Sequence, residues 1–247
     1  MVQELNEDDF DRCLQFCETM SERVANDNNF LFNVCFSDEC TFFLNGVVNR
    51  HNCRYWAEDN PRVFHEVHTQ NPQKLNVWAG IFRNSIVSPF FLPGNLTGDM
   101  YLDLLENTID PALTDIIENN PGYVEAELIF QQDGAPPHYS QNVRNYLNNN
   151  FPGRWIGRRG AVEWPPRSPD LTPLDFFLWG HIKSKVYSTP PASLEDLRRR
   201  IIDVCCEVTP QVLQNVRERF ENNLCITVWR LTGNIFSICF INKISFF

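Results

Sequence analysis

Residues 74–92 read KLNVWAGIFRNSIVSPFFL. Two β-rich apolar runs, 74–82 and 85–92, flank Arg83-Asn84, a dipeptide that suits a tight turn. So short a link pairs its strands antiparallel. The run NFLFNVCF, 29–36, predicts a buried strand ahead of them that ends at Ser37-Asp38-Glu39. Together the three form an antiparallel meander, and whatever else the chain does must be built around that sheet.

The remaining elements alternate. Residues 97–117 open on a cap signal, and Tyr101, Leu104, Leu105 and Ile109 keep helical spacing until Pro111, which kinks or divides the helix. A short strand follows at Leu128-Ile129-Phe130 and stops at Asp133-Gly134. A helix over 140–150 and a short strand at AVEW, 161–164, come next. Helices near 173–186, 193–206 and 209–222 complete the pattern. Three strands, a helix, a strand, a helix, a short strand and then helices predict an α/β fold, a mixed sheet flanked by helices. Residues 1–28 read as a helix and linker peripheral to the core, 29–190 as the main domain, 191–223 as C-terminal helices and 224–247 as an atypical apolar tail. The tail segment LTGNIFSICFIN, 231–242, is too short to span a bilayer comfortably, so no membrane partner is expected.

Composition narrows the function. With 43% hydrophobic residues, 247 residues can bury a real core. A formal net charge of −10 argues against nucleic-acid binding by bulk attraction and leaves room only for a local basic face. The nine cysteines include no C-x-x-C pair, which argues against zinc. No secretory signal opens the sequence, so reduced thiols are expected.

Three carboxylates stand at strand and helix ends, where sites in α/β sheets collect: Asp38, Asp133 and Asp175. Asp175 belongs to SPDLTPLDFFLWGHIKSK, 168–185, where Thr172 suits an N-cap and Pro173 the first helical turn. Taken singly, Asp38 reads as a turn residue, Asp133-Gly134 as a turn dipeptide and Asp175 as part of a helix cap. Taken together, oxygen ligands of this kind suit Mg²⁺. Two such ions roughly 3.5–4 Å apart can clamp the attacking and leaving oxygens of a phosphoryl displacement.

FSDE (36–39), NVWAGI (76–81), FQQDGAPPH (130–138) and WPPRSPDLTPLDFFLWGHIKSKVY (164–187) resemble the catalytic region of mariner-type transposases, within the wider Tc-mariner group of DDE/DDD enzymes. The resemblance runs from about residue 30 to about residue 222. It implies a ribonuclease H-like fold and places the three acidic residues of the family on Asp38, Asp133 and Asp175, leaving Asp170 as a turn residue. The 41 residues between Asp133 and Asp175 point to a longer-spaced, all-aspartate branch, with the extra length in a loop-like insertion over 148–164. It further implies two Mg²⁺ or Mn²⁺ ions, phosphodiester hydrolysis and strand transfer at transposon ends, DNA ends and target as partners, a homodimer and a nuclear location. The family's paired helix-turn-helix modules have no counterpart in residues 1–28, so a shortened chain is expected. The alternative is an inactive or domesticated relic that binds DNA or protein.

Arg154, Arg158, Arg159 and Arg167 cluster ahead of Asp175, and Lys183 follows it; each can neutralise a phosphate. Trp155 and Trp164 could stack on an unpaired base, although Trp164 reads better as core. His138 could contact a phosphate, orient a carboxylate, cap the next helix or pack inside. Arg198, Arg199 and Arg200 read as a solvated helix face. Trp78, Phe176 and Trp179 read as core, and His181 as structural.

Overall fold

A computed structural model describes residues 7–46, 73–166, 168 and 171–232. Of the expected site residues, Arg167 lies outside these, as do Asp170 and the tail beyond residue 232. The sheet has five strands in the order β3-β2-β1-β4-β5. The predicted hairpin forms on the expected residues, β2 at Lys74–Phe82 and β3 at Ser85–Leu92. Its two-residue turn needs a left-handed residue, and Arg83 takes that role with φ 53°. A side chain raises the cost of that conformation. Burial offsets it: the guanidinium lies 4.0 Å from the Tyr123 ring centroid and donates to Asn33 at 2.7 Å and Glu127 at 3.1 Å.

Several expectations change. The run 29–36 is not all strand: Phe30–Asn33 form a short helix, α2, and β1 spans Val34–Phe43. Antiparallel pairing with β2, from Cys35↔Phe82 to Phe43↔Lys74, carries β1 on past the Asp38 expected to end it. The fifth strand, β5, is Trp155–Ile156, inside the expected insertion, and Val162 adds only an isolated bridge to Ile156. Helix α1, Glu7–Asn26, is not peripheral, because it packs on the last helix, α8 (Pro210–Thr232), and buries Phe16, Cys17 and Met20 in the core.

Helices cover both faces. Strand alternation sends Phe36, Phe42, Val77, Ala79 and Ile81 towards α1, α6, α7 and α8. It sends Cys35, Trp78, Phe82 and Phe130 the other way, onto α3, α4 and α5. Helix α3, Gly98–Leu104, passes through a wide π turn, Leu105–Ile109, into α4, Asp110–Glu118. The wide turn accommodates Pro111, whose ring would clash in a regular helix. Helix α5 is Gln141–Asn150, capped by Ser140. Helices α6, Trp179–Val186, α7, Leu194–Glu207, and α8, Pro210–Thr232, close the other side. Helix α8 thus continues beyond residue 223, where the apolar tail was expected to begin. No helix among the described residues is long and apolar enough to cross a membrane.

Candidate active site

Strands β1 and β4, Ile129–Gln131, run parallel, and their pairing ends at Phe36↔Gln131. Beyond it Ser37 seals the ladder through side chains: its Oγ donates to the Gln131 carbonyl at 2.6 Å, and its N–H donates to the Gln131 Oε1 at 3.1 Å. Two residues past the last pair on each strand lie Asp38 and Asp133. So the logic of strand ends holds for Asp38 through β4, although its own strand continues. Asp175 comes from a wide π turn, Leu174–Leu178, that leads into α6. Thr172 does not cap that helix by its side chain; its carbonyl accepts the Phe176 N–H at 3.1 Å. π turns concentrate at functional sites.

Alternation along β1 decides the surroundings of Asp38. It faces α6 with Phe36 and Phe42, and Trp179 donates its indole N–H to Asp38 Oδ2 at 2.8 Å. Burial raises the Asp38 carboxyl well above the usual carboxylate range. The charges of Asp175 and Glu39 push it further, the Trp179 hydrogen bond opposes, and Asp133 adds to the rise. Asp175 is exposed at the rim, yet partial desolvation and then the charge of Asp133 push it up to about 6, with Lys183 pulling it back. Lys183 is half-buried here, its ammonium 5.6 Å from the Phe42 ring centroid.

Glu39 points to the opposite face, where it meets His138. This histidine is only 2% exposed and rests 4.2 Å from the Tyr101 ring centroid. Its Nδ1 lies 2.5 Å from Asp133 Oδ1, and its Nε2 makes a 3.2 Å charge contact with Glu39 Oε2, off the hydrogen-bonding direction. Burial alone would lower the imidazole pKa, but Glu39 and Asp133 outweigh it and push it up to about 10. Asp133 feels burial too, but its hydrogen bond and charge pairing with His138, and the Ala135 N–H, bring it below the ordinary value. His138 is therefore placed to orient a carboxylate, and its burial withdraws it from the phosphate contact offered by its position in the sequence.

The basic cluster divides. Arg154 is committed to the fold, donating to the carbonyls of Leu128 at 2.8 Å, Glu125 at 3.0 Å and Asn150 at 3.2 Å. Arg154, expected at DNA, thus has a structural role as well. Arg158 and Arg159 are exposed beside Gly134. Trp155 and Trp164 are buried, at 2% and 6% exposure, which removes both from base stacking. Trp78 is core as expected, whereas Trp179 also serves the site. Glu39 and Trp179 escaped the sequence reading as site residues; the signal for Trp179 was its place four residues after Asp175, one helical turn away.

Among the described residues no three His, Cys, Asp or Glu side chains already stand at ligating separation. The physical reason is visible: His138 holds Asp133 towards one face and Trp179 holds Asp38 on the other. The donor chemistry nevertheless fits a hard divalent ion. Asp38 and Asp133 each have one oxygen committed and the other without a protein hydrogen bond among the described residues, as are both oxygens of Asp175. One Glu39 oxygen is buried with no partner.

No protein-family model matches the chain. The Tc3 transposase of Caenorhabditis elegans is 28% identical over 207 residues, 81% of this chain and 56% of the relative. The Tcb1 transposase of Caenorhabditis briggsae is 31% identical over 117 residues, 44% of this chain and 35% of the relative. The chain thus spans about half, or less, of the length of these relatives. The catalytic domain of the Mos1 mariner transposase superposes with a TM-score of 0.71 at 18% identity, covering 94% of this chain and 97% of that one. A pre-cleavage Mos1 transpososome gives 0.74 over 94% and 65%. The five-stranded mixed sheet is thus ribonuclease H-like, and the homologues of this chain are the Tc1/mariner-family transposases.

Proposed function

We propose that this chain is a DNA-cleaving and strand-transferring domain of the transposase type, with Asp38, Asp133 and Asp175 as its metal-holding carboxylates. The observation that carries the reading is the equivalent placement of Asp38 and Asp133, each two residues past the last β1–β4 pair, with Asp175 near enough for its charge to act on Asp38 and for the charge of Asp133 to act on it. Solved Mos1 catalytic domains contain Mg or Mn, and Mos1 complexes contain transposon-end DNA. Bound Mg²⁺ or Mn²⁺, two ions in this reading, would activate the attacking oxygen and neutralise charge on the phosphate.

The residues supply the rest. The uncommitted oxygens of Asp38 and Asp133 and the exposed carboxylate of Asp175 make a concentrated negative site that a cation relieves. His138 and Trp179 fix the two inner carboxylates, so less side-chain freedom is lost on binding. Arg158 and Arg159 would meet backbone phosphates, and Lys183 would balance the charge next to Asp175. A homodimer and a nuclear location belong to the same reading, checked by sizing on DNA and by microscopy of a tagged chain.

The test is a nicking assay on duplex DNA with Mg²⁺ or Mn²⁺, alongside Asp133→Ala. Cleavage that disappears in the variant supports the reading, and equal cleavage by both proteins sinks it. The separated carboxylates favour one competing reading, a relic that binds without cutting. Thermal stabilisation by Mn²⁺ that depends on Asp133 would reject a dead metal site.

A further inference from the structure

Three arginines converge on one tyrosine beside the carboxylates. The guanidinium carbon of Arg158 lies 4.2 Å from the Tyr139 ring centroid, that of Arg144 4.7 Å and that of Arg159 5.1 Å. We propose that Tyr139 gathers Arg144, Arg158 and Arg159 into a clamp for one DNA backbone phosphate next to the one addressed by Asp38, Asp133 and Asp175. The proposal rests on the transposase reading above and deepens it.

Like charges brought together in this way repel unless an anion joins them. The sequence carries 31 acidic residues, yet among the described residues no carboxylate pairs with any of these three arginines. Among the described residues Arg144 donates only to neutral groups, the Tyr139 carbonyl at 3.2 Å and Gln141 Oε1 at 2.7 Å. Cation–π attraction holds the three to the ring but leaves their charge uncompensated.

The mounting is rigid. Arg158 and Arg159 ride on the turn 157–160, closed by Gly160 N–H to the Gly157 carbonyl at 2.9 Å and Gly157 N–H to the Val162 carbonyl at 3.0 Å. A Cβ on Gly160 would come within 2.9 Å of the buried Trp155 ring, so the turn is pressed flat on it. Arg159 takes φ 63°, a left-handed conformation that costs a side-chain-bearing residue energy and recurs where geometry serves a ligand. Placement selects the ligand. A Cβ on Gly134, the residue after Asp133, would stand 3.6 Å from Arg158 Cβ. A strand held at the carboxylates would therefore carry its neighbouring phosphate to the clamp, where guanidinium forks match phosphate oxygens.

Fluorescence anisotropy on a labelled duplex in Ca²⁺ tests the clamp, with folding of each variant checked by circular dichroism. Arg158→Gln with Arg159→Gln is expected to weaken binding about tenfold at 0.15 M salt. The slope of log K against log salt should fall by about 0.9, the value for one lost phosphate contact. Tyr139→Leu, which removes no charge, should weaken binding about threefold, and Tyr139→Phe should not. Arg199→Gln, on the solvated face of α7, serves as a single-charge comparison and should change little. A Tyr139→Leu protein that folds and binds like the parent overturns the clamp, as does a double variant no weaker than Arg199→Gln. Competition by inorganic phosphate at micromolar concentration would also overturn it, in favour of a free-anion pocket. If the clamp variants bind normally while Asp133→Ala abolishes cleavage, the clamp falls and the transposase reading stands. If the parent takes up Mn²⁺ but no DNA, both fall and only the metal site survives.

Discussion

Asp38 and Asp133 occupy equivalent places, each two residues past the last pair of adjoining parallel strands, yet their carboxyls shift in opposite directions. Burial acts on both with the same sign. The difference is the partner: Asp133 has a charged imidazole, whereas Asp38 has a neutral indole and two further carboxylates as neighbours. A fold can thus repeat a position in its backbone and still favour the charged form of one acid and disfavour that of the other.

The sharpest way to break this comparison is to remove a carboxylate. Asp38→Asn, Asp133→Asn and Asp175→Asn should each lower metal-dependent nicking by about a thousandfold or more, in keeping with several kcal/mol of transition-state stabilisation. A residual rate within tenfold of the parent for one of them removes that residue from the set. Next in size, His138→Phe leaves Asp133 and Glu39 facing each other without a cation. Urea unfolding should show a loss of about 3–5 kcal/mol without metal, partly recovered in Mn²⁺. No recovery would mean that His138 serves the fold alone.

Trp179→Phe keeps most of the packing and removes one hydrogen bond to a carboxylate. A cost of about 1.5–3 kcal/mol is expected, together with a further rise in the Asp38 pKa, read by NMR titration. An unchanged pKa would show that this bond does not tune Asp38. The smallest effect is in pH. Asp38 and Asp175 have folded pKa values above their unfolded ones, so their contribution favours folding at low pH and fades as pH rises through the folded value, about 6 for Asp175. His138 acts in the same direction, its contribution complete below about 6.5 and lost as pH rises through about 10. Between pH 5 and 8 the metal-free protein should therefore melt at a lower temperature as pH rises, and Mg²⁺ should stabilise it more at pH 8 than at pH 5. A melting temperature that climbs with pH would contradict all three shifts.

The local features were legible in the sequence and the long-range ones were not. The hairpin and the break at Pro111 follow from a turn dipeptide and a missing N–H, and both formed where expected. The length of β1 depends on its pairing with β2, so residues 29–36 could not reveal that Asp38 lies in mid-strand. A two-residue strand such as Trp155–Ile156 is too short to show any periodicity. The candidate carboxylates stood out by their residue type and by the family resemblance. Their wiring did not, because the Trp179–Asp38 contact joins positions 141 residues apart, and Arg154 and Arg158 differ only in which way the chain turns them.

The sealed end of the β1–β4 ladder has one more consequence. Neighbouring strands in any sheet keep a separation of about 4.8 Å. Main-chain pairing fixes that spacing only as far as Phe36 and Gln131. Past it the hydroxyl of Ser37 and the amide of Gln131 hold the strands together, so two neutral side chains that touch neither Asp38 nor Asp133 act as the clasp from which both carboxylates hang, and a substitution at either would loosen the site without altering one of its acids.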